Sequence, residues 1–349
     1  MAEETATEKS IDLVCIGSCC IDIIMNVLDV LRFEMVDSHE PDIIKKYTAI
    51  EYSSKLNVKS LKFTPGGSAA NVSVDLTMFS GMTTSYIGKL GNDVFGQVAR
   101  RELEKAGVNV DSCFQTDEDS TALSVILMTP LGKDRSILAY KGANNLITPD
   151  EVQDEWVTRG KNLQWTSLTS PSGVASIQKC IDLIRQDPAA MVFACPSISI
   201  IKNNHDAAVN LVKQSDVLMC NKEELFELVG ETSLTRCFKD ALAWGLKVIA
   251  CTNGSNGSNI TDGQYFIDAG VYDVDVVDTT GAGDAFASGM IYSLINGFDL
   301  ETTAKYASAV SAFECQTMGV REGIPSDLET IRRFIEEKPL KIKFLKMED

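Results

Sequence analysis

Asp278-Thr279-Thr280-Gly281-Ala282-Gly283-Asp284 runs directly into AFASGMIYSLING, residues 285–297. The β-rich run VDVV, residues 274–277, leads into it. A strand-like run, a glycine-bearing turn and a helical pattern in that order place the turn at a helix N-terminus. Gly281, Ala282 and Gly283 would there expose successive backbone N–H groups, and donors at the positive end of a helix attract an anion. Asp284 is out of place in a simple phosphate cradle, because its carboxylate would repel phosphate. It fits a site in which the carboxylate takes a proton from a hydroxyl while the amides hold a transferring phosphoryl group. Two other readings stand beside this one. A dinucleotide loop would need a third glycine where Phe286 stands, in a first βαβ unit rather than late in the chain. Simple helix capping would also suit an aspartate.

Outward from this segment, short β-rich apolar runs alternate with helical patterns, as they do in βαβ proteins. The predicted strands are Ile11–Gly17, Thr83–Ile87, Gln164–Leu168, Met191–Cys195, Asp216–Cys220, Lys247–Thr252 and Val271–Val277. Helical patterns fall near 68–80, 92–106, 174–186, 205–214, 222–229, 234–244, 283–296, 300–317 and 326–336. The continuous runs VLMC and VIAC suit parallel strands buried on both faces. Two stretches break the rhythm. Residues 23–63 separate the first strand from Gly66-Gly67, and residues 112–141 alternate around Gly132-Lys133-Asp134 like a hairpin. Both are expected to form a small β layer.

Three further turns carry chemistry-bearing residues. Gly66-Gly67-Ser-Ala-Ala-Asn71 precedes a helix; paired glycines allow a hinge and close backbone approach, and Asn71 offers an amide to a ligand hydroxyl. Thr252-Asn-Gly-Ser-Asn-Gly257 and Asn221-Lys-Glu-Glu224 each follow a predicted strand. Both therefore lie at the carboxyl edge where open parallel sheets bind ligands. A capped turn, an ordinary hairpin loop and a helix start are the respective plain readings. No GxxxxGK[ST] sequence occurs.

The composition excludes several classes. A chain of 349 residues with 44% hydrophobic and 23% charged residues is globular. The formal net charge of −17 disfavours nucleic acid and anionic membrane surfaces as partners. Two histidines leave little for a Ser-His-Asp or multi-histidine metal site. Ten cysteines without a CxxC read as buried thiols of a cytoplasmic protein rather than a disulfide scaffold. The acidic start MAEETATEKS is unlike a targeting peptide, and no apolar run is long enough to span a membrane.

In order and in both signature regions, the chain resembles the ribokinase-like (PfkB) family of sugar and nucleoside kinases over roughly residues 10–337. The regions are Gly66–Gly96, GGSAANVSVDLTMFSGMTTSYIGKLGNDVFG, and Asp278–Gly289, DTTGAGDAFASG. The resemblance implies a doubly wound, mainly parallel α/β domain from 10–22, 64–111 and 142–337. Residues 23–63 and 112–141 would form a β lid, and 338–349 a C-terminal tail.

By the same resemblance, Asp284 is the catalytic base and Gly281, Ala282 and Gly283 are the anion hole. Asp22 holds substrate hydroxyls, with Gly66, Gly67 and Asn71 as hinge and substrate contacts. Asn221 and Glu224 match an NxxE element that organises Mg2+ and phosphates through water. Thr252, Gly254, Ser255 and Gly257 match the nucleotide loop, Ser308 lies where adenine packs, and Asp278 and Thr280 lie where many members hold a monovalent cation, K+. Gly142-Ala-Asn144 matches a motif of the lid region. The implied activity is ATP-dependent transfer to a hydroxyl of a small sugar, with a nucleoside as the alternative acceptor, and the implied assembly is a homodimer through the lid. A non-catalytic ligand-binding homologue is the rival of another class. Cys20, Ser68 and Thr169 replace the asparagine, lysine and acid of a true ribokinase, which turns the reading away from ribose.

Overall fold

The computed structural model describes residues 10–28, 30–36, 44–128 and 135–346. In chain order its strands are β1 (Leu13–Ile16), β2 (Cys20–Val27), β3 (Leu31–Val36), β4 (Ile44–Ala49), β5 (Val58–Gly66), β6 (Thr84–Gly91), β7 (Cys113–Thr116), β8 (Leu123–Met128), β9 (Arg135–Tyr140), β10 (Leu163–Thr166), β11 (Val192–Cys195), β12 (Val217–Asn221), β13 (Val248–Thr252), β14 (Ser258–Thr261), β15 (Tyr265–Ala269) and β16 (Ile342–Lys346). The helices are α1 (Ser68–Ser80), α2 (Val94–Lys105), α3 (Asp154–Thr158), α4 (Pro171–Ile184), α5 (Ile198–Asn203), α6 (His205–Lys213), α7 (Lys222–Val229), α8 (Leu234–Leu242), α9 (Ala282–Ile295), α10 (Leu300–Cys315) and α11 (Leu328–Glu337).

Ten strands form one sheet in the order β16-β15-β14-β13-β12-β11-β10-β1-β6-β7. From β13 to β7 neighbouring strands are parallel, and β14, β15 and β16 add antiparallel strands at one side. Alternation along each strand feeds two cores. On β1, Leu13 and Cys15 join the core formed with α1, α9 and α10. Val14 and Ile16 join the opposite core, with α4, α7 and α8. Val217–Cys220 and Val248–Cys251 are buried throughout, because helices cover both faces. Strand order reverses between β1 and β10, and such a reversal opens a crevice at the strand carboxyl ends. Eight of the ten cysteines are buried.

A separate four-stranded sheet has the order β5-β2-β8-β9, and β3 and β4 form a two-stranded ribbon. The hairpin expected within 112–141 is present as β8 against β9, while its turn at Gly132-Lys133-Asp134 lies outside the described residues. Cys113–Thr116, inside the same stretch, instead pairs with β6 in the large sheet.

The strand expected at Val271–Val277 is absent. The edge beside β15 is occupied by β16, from the stretch read as a tail, and Gly270 N–H donates to Lys341 O at 2.8 Å as the chain leaves the sheet. Among the described residues, no helix is long and apolar enough to cross a membrane.

Candidate active site

The turn before α9 is built around two side chains. Asp278 Oδ1 accepts from Thr280 N at 2.9 Å and from Thr280 Oγ1 at 2.8 Å, and Asp278 Oδ2 accepts from Gly319 N at 3.3 Å. Both Asp278 and Thr280 are buried. Gly281 follows with φ 79°, a left-handed conformation, and a Cβ there would lie 2.7 Å from Val320 O. Glycine is required on both counts. The helix begins with Ala285 N–H donating to Gly281 O at 2.9 Å. The amides of Gly283 and Asp284 therefore belong to the first turn, which has no carbonyls of its own to offer them. The space where a Gly283 Cβ would point is open.

Asp284 lies on that turn and is turned inward. Its Oδ2 accepts from Asn71 Nδ2 at 2.6 Å. Asn71 is buried on the first turn of α1. Its amide oxygen accepts from Arg321 Nε at 2.7 Å. Burial pushes the Asp284 carboxyl above the usual carboxylate range, opposed by hydrogen bonds from Asn71 and Ser68 and by the Arg321 charge.

Asp22 comes from the other sheet. It sits in the middle of β2, opposite Thr64 and Ser124, so it is not a turn residue after the first strand. Cys20 Sγ donates to Asp22 Oδ1 at 3.5 Å. Burial raises this carboxyl too; hydrogen bonds from Ser124 and Cys20 and the Arg321 charge oppose it, while the Asp284 charge adds to the rise. Gly66 makes room for it, since a Cβ there would stand 2.1 Å from Asp22 Oδ2. Gly67, the N-cap of α1, packs on the backbone of Ser18 and Cys19. Asn144 Oδ1 accepts from Cys19 N at 3.4 Å.

A second group lies at the carboxyl ends of β12 and β13. Asn221 and Thr252 are opposite each other in register. Asn221 Oδ1 accepts from Glu224 N at 2.9 Å, and Glu224 Oε2 accepts from Asn221 N at 2.9 Å, a reciprocal cap on α7. Glu224 Oε1 accepts from Ile198 N at 3.1 Å. Burial raises the Glu224 carboxyl, which also feels the negative charge of Asp284. Thr252 to Gly257 form a hairpin between β13 and β14 with a short turn at Gly254–Asn256 that contains Ser255. Ser308 is buried on α10, which packs against α9, β14 and β15.

The fold thus joins Asp22, Gly66, Asn71, Asp278, Thr280 and the 281–284 turn in one place. Asn221, Glu224 and the 252–257 loop gather at neighbouring strand ends. Arg321 and Asp75 are additions that no motif marked. Asp75, one turn beyond Asn71 on α1, accepts from Ser288 Oγ on α9 at 3.1 Å. A lone charge in the otherwise uncharged SAANVSVDLTMFS was its only sequence signal.

The model of the pfkB family carbohydrate kinases matches residues 10–327, a span that includes this turn and every side chain placed around it. The chain belongs to the pfkB family. As a pfkB kinase it is a phosphotransferase with an alcohol group as acceptor.

Among curated proteins, this pfkB kinase is similar to an ATP-dependent ribose-1-phosphate kinase of Halopiger xanaduensis, 28% identical over 82% of this chain and 92% of the relative. An uncharacterized sugar kinase of Archaeoglobus fulgidus is 27% identical over 71% of this chain and 98% of its own. Among solved structures, a protein assigned as ribokinase II from E. coli superposes with a TM-score of 0.78 at 21% identity, covering 94% of this chain and 99% of that one. An adenosine kinase of Sinorhizobium meliloti gives 0.76 at 23% identity, covering 93% and 99%. At these identities the structures show the fold alone.

Proposed function

We propose that this kinase transfers the γ-phosphoryl group of ATP to a hydroxyl of a sugar. The observation that carries the reading is Asp284 Oδ2 held by Asn71 at 2.6 Å, on the first turn of α9 beside Gly283, where a side chain would meet open space. In the reaction, the acceptor oxygen forms the new P–O bond and its proton passes to Asp284. The bond to the leaving diphosphate breaks with its electron pair remaining on ADP. The amides of 281–284 face the charge that gathers on the transferred group. Asp22 grips acceptor hydroxyls, since a carboxylate accepts two charge-assisted hydrogen bonds. Its neighbours Cys20, Thr64 and Ser124 are polar or small, which favours a polyhydroxy acceptor over a purine face.

Among the described residues, no cluster of three or more His, Cys, Asp or Glu is arranged to hold a metal. That suits Mg2+, which keeps most of its waters and binds through one or two carboxylates and substrate phosphates. Bound with the nucleotide, it supplies positive charge to the phosphoryl oxygens. Glu224 is the residue that would hold its waters, and Thr252, Gly254, Ser255 and Gly257 would border the nucleotide, with Ser308 behind the base. The expected K+ site fits less well. Asp278 already accepts three hydrogen bonds from the protein, which fasten the loop without an ion, and no K+ enters the proposed reaction.

The division of labour follows the two sheets: the large one carries the base and nucleotide loops, and the four-stranded one is a lid that brings Asp22. The β3–β4 ribbon presents Leu31, Phe33, Met35 and Tyr47 to solvent, with Phe33 stacked on Tyr47 at 5.2 Å. A lone two-stranded ribbon is marginal in water, so its apolar face fits a second copy of the chain, as a lid-to-lid homodimer.

The test is an ADP-release screen against pentoses, hexoses, sugar acids, sugar phosphates and nucleosides, run with wild type and Asp284→Asn. The variant should lose about 10²–10⁴ in kcat while still binding ATP. Wild-type kcat in the variant would reduce Asp284 to a cap. Preference for adenosine over every sugar would move the acceptor to a nucleoside.

A further inference from the structure

Arg321 lies in the loop between α10 and α11, outside the motifs that mark the site, and its neighbour Val320 backs Gly281. Its Nε donates to Asn71 Oδ1 at 2.7 Å, and Asn71 Nδ2 donates onward to Asp284 Oδ2 at 2.6 Å. Guanidinium nitrogens only donate. The amide oxygen of Asn71 must therefore face Arg321, which turns the NH2 end toward Asp284. An amide in contact with a carboxylate alone could still pivot; one gripped at both ends cannot.

We propose that Arg321 is a positioning residue for proton transfer, holding Asn71 by its oxygen so that the amide nitrogen fixes the plane of the Asp284 carboxylate. The inference rests on Asp284 as the base. Its charge also reaches the site: Arg321 opposes the burial of Asp22, Asp75 and Asp284 alike. The ionisable groups around Asp284 are Arg321 from this loop, Asp22 from β2, Asp75 from α1, Glu224 from α7 and Cys195 from β11. Asn71 and Ser68 of α1 add neutral donors. Of the acidic groups here, Asp22 and Asp75 feel the opposing charge of Arg321 as Asp284 does. Arg321 Nη2 is buried without a hydrogen-bond partner, so the side chain is held by its single bond to Asn71 and by charge.

The experiment measures kcat, acceptor KM and the pH dependence of kcat for Arg321→Met, Arg321→Lys, Asn71→Ala and Arg321→Met with Asn71→Ala. Asp284→Asn and the melting temperature of each variant accompany them. Arg321→Met should lower kcat roughly ten- to a hundredfold, the range for a misplaced catalytic group. Its acid limb should move to higher pH, because losing the cation makes Asp284 harder to ionise. Arg321→Lys keeps the charge without the fixed planar Nε–H donor, so its acid limb should stay near wild type while kcat recovers only in part. The double variant should be little slower than Asn71→Ala alone, since Arg321 acts through Asn71.

Wild-type kcat and acid limb in Arg321→Met would overturn the inference. So would multiplicative losses in the double variant, or a rise confined to acceptor KM. Should Arg321→Met fail to fold, Arg321→Lys decides: wild-type kcat there would show that the fixed Nε–H donor to Asn71 is not needed and would overturn the inference. Full activity in Asp284→Asn would instead sink the base itself, which separates the two failures.

Discussion

Gly66 lies opposite Cys20 on the strand pair that carries Asp22. A methyl group at this position would press on the carboxylate, at 2.1 Å from Oδ2. Gly66→Ala should therefore raise acceptor KM about tenfold or more and leave ATP KM near wild type. Asp22→Ala should do the same through the loss of charge-assisted hydrogen bonds, worth about 1.5–3 kcal/mol. Steady-state kinetics with each substrate varied in turn, beside a melting curve, check both; a fall in melting temperature with unchanged acceptor KM would make the pair purely structural. For Asp284, burial raises the carboxyl, so as the proposed base it stays protonated to a higher pH than a free aspartate, and kcat should climb as pH rises through that raised value. Asp284, Gly281 and Asn71 were legible because each stands in a turn-to-helix sequence whose backbone chemistry is local. The role of Asp22 came only through family resemblance; its own setting is mid-strand, with partners on β5 and β8. Arg321 left no trace, because its bond spans 250 residues and nothing periodic marks a long-range contact.

Helix α7 poses the question of what one glutamate can do twice. Glu224 closes the cap with Asn221 and also receives Ile198 N–H. Glutamine can keep a reciprocal cap of this kind, but it brings no charge to a hydrated divalent ion. Glu224→Gln should thus hold its melting temperature within a few degrees, while the Mg2+ concentration for half-maximal activity rises several-fold. Both properties unchanged would leave Glu224 as a cap alone. Most elements were readable from periodicity: α1 and α7 have the predicted limits, and the parallel strands VLMC and VIAC lie buried where expected. The failures share a cause. VYDVDVV, 271–277, has a strand's alternation, but the edge beside β15, the strand just before it, is taken by β16. SNIT, YFIDA and IKFLK have mixed composition and become strands β14, β15 and β16 only by pairing with what is already there.

Across the whole molecule, Asp22 comes from the four-stranded sheet and Asp284 from helix α9 on the large sheet, so the proposed site is complete only when the four-stranded sheet rests on the body. A lid-to-lid dimer would steady that arrangement and cover Leu31, Phe33 and Met35. Light scattering should give twice the chain mass for wild type and the single-chain mass for Phe33→Asp; a monomeric wild type would remove the dimer. The overall architecture was readable because alternating β and α patterns admit few topologies, whereas what the ribbon would pack against is not written in any local pattern. The outer strands of the large sheet have a separate consequence. A sheet edge offers unpaired N–H and C=O groups to any passing chain and so invites aggregation. Here one edge is β7, only four residues long. The other is β16, where Lys343 pairs with Asp268 at 3.6 Å and Lys341 and Lys346 stand close by in sequence. That strand lies beyond the family match, which ends at residue 327, and apart from the site's residues. Its work is to cover the strand YFIDA with a lysine-bearing border, which guards the protein in concentrated solution against growing onto its neighbours, strand by strand.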